Sequence, residues 1–311
     1  MGKLTDENIK NLKKRILDSL KVSNLKEINK KLATVKDSIL IAGVGGSSVV
    51  CEFAKKIFEE KNKCFTRVSD PRDLNYSNVK IFKNIMAISY SGKNFGVKLS
   101  FENDANKYLL TNNKTKHTGV TSIVYDNTIE KEKSFVSLAA TLMPITILLN
   151  YYLNNKKTPN IINDAFDNVQ SLELPTKKNI TVIYGNESIM SARFIESTFI
   201  EAGIANIMLC TKYNYCHGQT TLPYHSKSED LIYFKTKDTE LDKLILKEAE
   251  SLYDNITVIE CEYQDNIITD FYLLIQSIFF CYNVSKKYKK DLSKVKYAPA
   301  VKNLYYFEGS V

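Results

Sequence analysis

The stretch Ser38-Ile39-Leu40-Ile41-Ala42-Gly43-Val44-Gly45-Gly46-Ser47-Ser48 decides how this chain is read. Its first five residues are a continuous apolar run of the kind that fills a strand buried on both faces. Its last six are glycines and hydroxyl residues, and a helical pattern follows them over 47–60. A second copy of the design lies downstream. Asn84-Ile85-Met86-Ala87-Ile88 runs into Ser89-Tyr90-Ser91-Gly92-Lys93-Asn94. Glycine lets backbone approach an anion closely, a helix N-terminus offers amide protons and a partial positive charge, and serine adds hydroxyl donors. Hydroxyl-rich loops of this size suit a small phosphate ester, with Gly45, Gly46, Ser47, Ser48, Ser89, Ser91 and Asn94 as its candidate contacts. For Ser47 and Ser48 the other role is helix N-capping, and the two roles are compatible. Lys93 either adds charge to the loop or projects to solvent.

Outward from these loops, strand and helix alternate. Strands are expected over 38–43, 64–68, 84–89 and 119–125, and helices over 47–60, 95–110 and 133–155. That alternation is the pattern of a doubly wound, flavodoxin-like parallel α/β sheet, whose binding crevice lies at the carboxyl ends of the strands. Both serine loops fall there. Residues 1–34 read as an N-terminal helical segment, with Ile9, Leu12, Ile16 and Leu20 at helical spacing and Thr5 as a possible cap. The polar run Asn154–Asn160 opens a linker, 156–177, in which a connecting helix ends near Pro175. A second alternation then begins at Asn179. Its strands are expected over 179–185, 205–210, 231–235 and 256–261, and its helices over 188–202, 239–253 and 266–288. The expected organisation is therefore two tandem doubly wound domains, 35–155 and 178–290, followed by a mostly irregular tail, 291–311.

Composition narrows the function classes. The chain has 311 residues, 44% of them hydrophobic and 25% charged, the balance of a water-soluble globular protein with room for two cores. The net charge of +8 suits an enzyme that attracts phosphorylated substrates. The cluster Lys286-Lys287-Tyr288-Lys289-Lys290 is either a solvated helix end or a contact for an acidic partner or nucleic acid. The apolar run Leu138–Leu149 is too short to span a bilayer and reads as a core helix. Six scattered cysteines without a C-x-x-C pair, only three histidines and no leader-like N-terminus point to a cytoplasmic protein without a metal site. No nucleic-acid signature is present, and neither a nucleic acid nor a membrane is expected as a partner.

Gly43–Ser48 followed by Ser89–Gly92 resembles the sugar isomerase (SIS) domain family, whose members bind phosphosugars at these two loops. The second half carries more of the likeness. Phe199-Ile200-Glu201-Ala202-Gly203 is followed, sixteen residues after Glu201, by His217-Gly218. This resembles the glutamate and His-Gly of the isomerase domain of glutamine–fructose-6-phosphate aminotransferase and of the sugar-phosphate deglycases. Thr198 stands where that pattern has lysine, and Gln219 where it commonly has proline. Tyr184-Gly185-Asn186-Glu187-Ser188 resembles a degenerate counterpart of the first loop, without the second glycine and the paired serines. The resemblance implies that the first SIS-type domain holds the phosphate and the second supplies catalytic groups. It also implies a C-terminal lysine, for which Lys302 is the nearest residue, with a surface lysine as the alternative. It further implies a homodimer or higher homo-oligomer, with the histidine acting on a neighbouring subunit.

The chemistry explains these residue types. Aldose–ketose isomerisation moves a proton between C1 and C2 of an open-chain sugar through an enediol, and deamination of an aminosugar phosphate proceeds through an enolamine. One carboxylate reaching both carbons suffices as the base. A group titrating near neutral pH opens the ring. Glu201 fits the first role and His217 the second. No metal and no organic cofactor is called for. For Glu201 the alternative is a helix-end carboxylate facing water. For the whole chain the alternative is a sensor that binds a phosphosugar without turning it over.

Overall fold

A computed structural model describes residues 3–21, 24–76, 79–115, 117–125, 132–154, 156–226, 228–296 and Pro299. The elements follow in the order α1 (Lys3–Ser19), α2 (Leu25–Ala33), β1 (Ser38–Ala42), α3 (Gly46–Glu60), β2 (Phe65–Ser69), β3 (Asn84–Ile88), α4 (Phe95–Ser100), β4 (Asn106–Thr111), β5 (Val120–Val124), α5 (Ala139–Tyr152) and α6 (Thr158–Asp167). The second half continues with β6 (Asn179–Tyr184), α7 (Ile189–Glu201), β7 (Asn206–Thr211), the single turn α8 (Lys212–Asn214), α9 (Thr221–Ser226), β8 (Asp230–Lys235), α10 (Glu240–Ala249), β9 (Asn255–Glu260) and α11 (Asn266–Lys287).

Two compact units result. One gathers Lys10–Lys133 and Ser137–Pro159, and the other gathers Ser134–Val136 and Asn160–Val295 with the first turns of α1. The first unit holds a five-stranded sheet in the order β2-β1-β3-β4-β5, with every pair parallel. The second holds a four-stranded parallel sheet in the order β7-β6-β8-β9. In each sheet the first strand lies between its sequence successor and the strand after that, so the chain switches direction beside β1 and beside β6. Such switch points open a crevice above the carboxyl ends of the strands.

Burial explains the order. Ile39, Leu40 and Ile41 of β1, and Ile85 and Met86 of β3, are fully buried, and each such side chain contributes about 1.5–3 kcal/mol relative to exposure. Helix α5 is apolar on every side and buried along almost its whole length, as a helix enclosed by its own unit must be. Helix α11 is long and apolar enough to cross a membrane, yet 72% of its most apolar window lies inside the fold.

Several sequence expectations need correction. The helix expected over 95–110 is a six-residue helix, α4, followed by strand β4 in the interior of the sheet. Tyr108-Leu109-Leu110 is an apolar run too short for periodicity to separate helix from strand. The turn that divides the two elements is pinned by Asn103, whose side chain accepts from the Ala105 amide at 3.0 Å and donates to the Ser100 carbonyl at 2.9 Å. The helix expected over 133–155 begins only at Ala139. The connecting helix ends at Asp167, well before Pro175. Thr5 lies inside α1 and donates to Asp291 Oδ1 at 2.8 Å instead of capping the helix. The N-terminal segment, whose sequence suits one helix or a helix pair, holds the pair α1 and α2. Most of the tail after 296 lies outside the described residues.

The second unit depends on one buried carboxylate. Asp270, fully buried on α11, accepts from the amides of Met190 and Ser191 at 3.2 Å each and from Ser191 Oγ at 2.9 Å. It thereby satisfies the first amides of α7, which would otherwise be orphaned. Asp270→Ala is expected to destabilise the protein by about 3 kcal/mol, the cost of leaving several buried donors unpaired. Urea unfolding followed by circular dichroism checks this, and an unchanged midpoint would contradict the role.

Candidate functional site

The two serine loops leave adjacent parallel strands. Ala42, the last residue of β1, pairs with Ala87 of β3, so Gly43–Ser48 and Ser89–Asn94 emerge side by side at the switch point of the first sheet. Sequence separation is bridged here by one strand pairing.

The first loop turns into α3 through Gly45, whose φ of +57° is in the left-handed region. No side chain caps α3. The Ser47 and Ser48 amides close turns onto the carbonyls of Val44 and Gly45, at 3.1 and 2.9 Å. The Ser48 hydroxyl also turns back, donating to the Gly45 carbonyl at 2.7 Å. Gly45 and Gly46 are exposed, and the Ser47 hydroxyl makes no hydrogen bond with the described residues. Of the two serines, Ser47 therefore has the hydroxyl that is not committed to its own turn. A Cβ at Gly46 would lie 3.0 Å from Thr141 Oγ1 on α5, so a side chain there would have to displace that hydroxyl slightly.

The second loop is built more rigidly. The Ser89 hydroxyl is 4% exposed and accepts from the Gly92 amide at 3.2 Å. A hydroxyl that accepts in this way keeps its own proton to donate. The Ser91 hydroxyl accepts from the Lys93 amide at 3.3 Å. Asn94 caps α4, accepting from the Val97 amide at 3.0 Å through Oδ1. Lys93 is exposed.

A supporting layer went unread in the sequence. Thr111 Oγ1 donates to the Tyr90 carbonyl at 3.0 Å, Thr115 Oγ1 to the Ser91 carbonyl at 3.3 Å, and a His117 ring nitrogen lies 2.8 Å from the Gly92 carbonyl. Gly92 has φ +66°, and a Cβ there would approach Thr115 and Thr111 to 2.8 and 2.9 Å. Glu132 is also new. It is 8% exposed and binds the first amides of α5, those of Leu138, Ala139 and Ala140, at 2.8–3.2 Å. Burial pushes its carboxyl above the usual range, against the pull of those amides and of Arg15. A glutamate shortly before a long apolar run was the only available signal for it.

The corresponding place in the second unit is closed by the protein's own groups. Ser188, fully buried, accepts from the Gly185 amide at 3.1 Å, and Asp270 holds the amides beyond it. The Glu187 carboxylate folds over Gly185, where a Cβ would meet its oxygens, and pairs with Lys212 at 3.7 Å. Lys212 lies 2.7 Å from Asp242 Oδ1.

Glu201 is the last residue of α7. It is half-buried and accepts from Ser197 Oγ at 2.6 Å. It precedes β7, and His217 follows it. His217 is exposed and makes no hydrogen bond, ion pair or ring contact with the described residues. The helical path breaks at His217 (φ −94°, ψ 33°) and Gly218 (φ 104°). Thr198, at the position of the resemblance's lysine, is 2% exposed. Lys302 lies outside the described residues. Among the described residues, no group of three or more His, Cys, Asp or Glu side chains is placed to hold a metal ion.

No protein-family model and no curated protein matches the chain. Solved structures do. The chain is similar to the C-terminal domain of glucosamine-fructose-6-phosphate aminotransferase from Francisella tularensis, with 13% identity, a TM-score of 0.70, and coverage of 94% of this chain and 98% of that one. It is similar to tagatose-6-phosphate ketose/aldose isomerase from Escherichia coli, with 12% identity, a TM-score of 0.71, and coverage of 96% and 97%. It is also similar to glucosamine-6-phosphate deaminase from Thermotoga maritima, with 14% identity, a TM-score of 0.66, and coverage of 90% and 98%. Over nearly its whole length, then, the chain has the fold of the sugar isomerase-type proteins that its two serine loops resemble.

Proposed function

We propose that this chain is a phosphosugar isomerase-type enzyme, acting on a sugar or aminosugar phosphate through an enediol or enolamine. The observation that carries the reading is the asymmetry between the two switch points. The first presents exposed Gly45 and Gly46, the uncommitted Ser47 hydroxyl and the Ser89 loop. The second is filled by Glu187, Ser188 and Asp270. Residues 35–155 then form the phosphate-binding domain and 178–290 the domain that supplies catalytic groups. The neighbours in fold are named as an isomerase, a deaminase and an aminotransferase domain of phosphorylated sugars, and proton transfer at C1 and C2 is the step such reactions share.

In this reading Ser47, Ser89 and the loop amides hold the phosphate, and that anchoring sets the register of the sugar carbons. Glu201 takes the proton from one carbon and returns it to the next. Ser197, bonded to Glu201, fixes the orientation of its carboxylate. His217 protonates the ring oxygen and opens the ring.

The surroundings of His217 support action on a second copy of the chain. The described residues give the ring no partner, and large apolar side chains on the same segment are exposed: Tyr213 by 74%, Leu222 by 55% and Tyr224 by 60%. Such a patch suits burial against another subunit. The second reading is a non-catalytic phosphosugar sensor. Thr198 favours it, because a buried threonine leaves Glu201 without the neighbouring cation of the related pattern.

Proton NMR in deuterated water, with a panel of hexose, pentose and aminosugar phosphates, separates the two. Wild type is expected to place deuterium at C1 or C2 of one substrate class, and Glu201→Gln to lose at least about a hundredfold of that rate. Absence of exchange with every member, while the same compounds raise the Tm, would establish the sensor instead. Under either reading Ser89→Ala is expected to weaken the phosphosugar-induced rise in Tm, and an undiminished rise would remove Ser89 from the site. Mixing inactive Glu201→Gln and His217→Ala subunits of a dimer is expected to recover about a quarter of wild-type activity, since half the dimers are mixed and each carries one complete site. No recovery would mean that His217 serves its own chain.

A further inference from the structure

We propose that Lys212, clamped between Asp242 and Glu187, is a positioning residue that fixes the segment bearing His217. The inference rests on the reading of His217 given above and concerns a part of the chain that the family resemblance leaves unassigned.

Lys212 is the first residue after β7, and its ammonium is anchored in the interior of its unit. It lies 2.7 Å from Asp242 Oδ1 and 3.7 Å from Glu187 Oε1, and the three side chains are 12%, 2% and 18% exposed. The two carboxylates are themselves immobilised. Asp242 closes a capping box at the start of α10, accepting from the Thr239 amide at 3.1 Å and from Thr239 Oγ1 at 2.5 Å, and it also accepts from the Tyr233 hydroxyl. Glu187 accepts from Thr236 Oγ1. The lysine is thus tied to the loop after β6 and to the helix after β8, while its own backbone continues the edge strand β7. The Tyr233 ring lies 5.5 Å from its ammonium.

Three residues on, Tyr215 is 2% exposed in the cluster of Cys210, Leu231, Tyr233, Ile245 and Ala249. Lys212 and Tyr215 share one face of a helical turn, and that turn is capped by Thr211 Oγ1, which accepts from the Asn214 amide at 3.2 Å. Beyond it Cys216, His217 and Gly218 are exposed, and the helical path breaks. Among the described residues, no side-chain partner holds His217. Its position is therefore inherited from the backbone, and the nearest upstream anchors of that backbone are Lys212 and Tyr215. A side chain that must meet a ring oxygen needs its geometry kept by a supporting shell.

The test uses the full chain. Lys212→Met keeps the stem and removes the charge. Lys212→Met/Asp242→Asn also removes the carboxylate that the first change would leave buried without its cation, and circular dichroism checks that each variant is folded. Lys212→Arg keeps the charge, and Lys243→Met removes an exposed ion pair on α10 as a control. Both methionine variants are expected to lose between about ten- and a hundredfold in kcat, with KM moving less than about threefold. They are also expected to exchange the amides of 213–219 faster than wild type, with Lys212→Arg and Lys243→Met close to wild type in both readouts. Wild-type kcat in Lys212→Met/Asp242→Asn overturns the proposal, whether or not exchange is faster. His217→Ala tests the underlying reading separately. If His217→Ala keeps full turnover, that reading fails; if His217→Ala is inactive while the methionine variants are not, only the positioning role fails.

Discussion

A helix that begins at the carboxyl end of a parallel strand leaves amide protons without intrahelical partners, and something must accept them. The two units answer that demand differently. Helix α7 begins in the embrace of Asp270, and α5 in that of Glu132. Helices α4, α10 and α11 are capped by Asn94, Thr239 and Asp265. Helix α3 starts from glycines and closes only its own backbone turns. Taken alone, an uncapped start says little. Set beside the Ser89 loop on the adjoining strand, it leaves donors of two kinds converging where the sheet topology opens a crevice.

The second unit shows what the same geometry becomes when the protein supplies the anions itself. Glu187 and Asp270 bring negative charge to the positions where a ligand would bring it, and Lys212 answers with a cation. Burial alone would push Asp242 up, but the hydrogen bonds from Lys212, Thr239 and Tyr233 outweigh it and hold the carboxyl below its ordinary value. It stays ionised, and the ion pair with it. A buried pair of this kind contributes little net stability compared with a well-packed apolar alternative, while breaking one side of it is costly. What such a network secures is a single arrangement of the elements it joins, here the loop after β6, the end of β7 and the start of α10.

Most of the sheet strands and both loops were legible in the sequence because their signals are local. An apolar run ending in glycine and serine reads the same way wherever it occurs, and β1, β3 and β6 all carry it or a close variant. Strand β4 was not legible, since Tyr108-Leu109-Leu110 has no period of its own and its identity comes from pairing with β3 and β5. The candidate site was legible in part. Ser47, Ser89 and Ser91 stand where glycine-rich turns put them, but the commitment of the Ser48 hydroxyl to Gly45 and of Asn94 to the α4 cap depends on local geometry that spacing does not encode. The partners of the second loop, Thr111, Thr115 and His117, come from a strand and turn that the sequence had placed partly in a helix. Asp270 and Lys212 were invisible for a related reason. Each acts on a residue tens of positions away, through a contact that exists only once the sheet is assembled.

Position 198 bears most directly on what the site can do. Removing a proton beside a carbonyl puts negative charge on the sugar oxygen, and a site that aims a fixed donor or cation at that oxygen stabilises the intermediate most. A lysine one turn before Glu201 would add positive charge near the base. Thr198 is buried at 2% exposure and adds none. On the proposed reading, the charge developing on the sugar would therefore be met by groups outside the α7 turn, and His217, which has no side-chain partner among the described residues, is one candidate. The proton given to the ring oxygen would leave His217 a neutral imidazole, which would have to take a proton back from solvent before it could stand as a cation opposite the enediolate. If His217 serves the reaction as proposed, its position has to be kept by its own backbone, and that would give the buried clamp at Lys212 a chemical reason to exist.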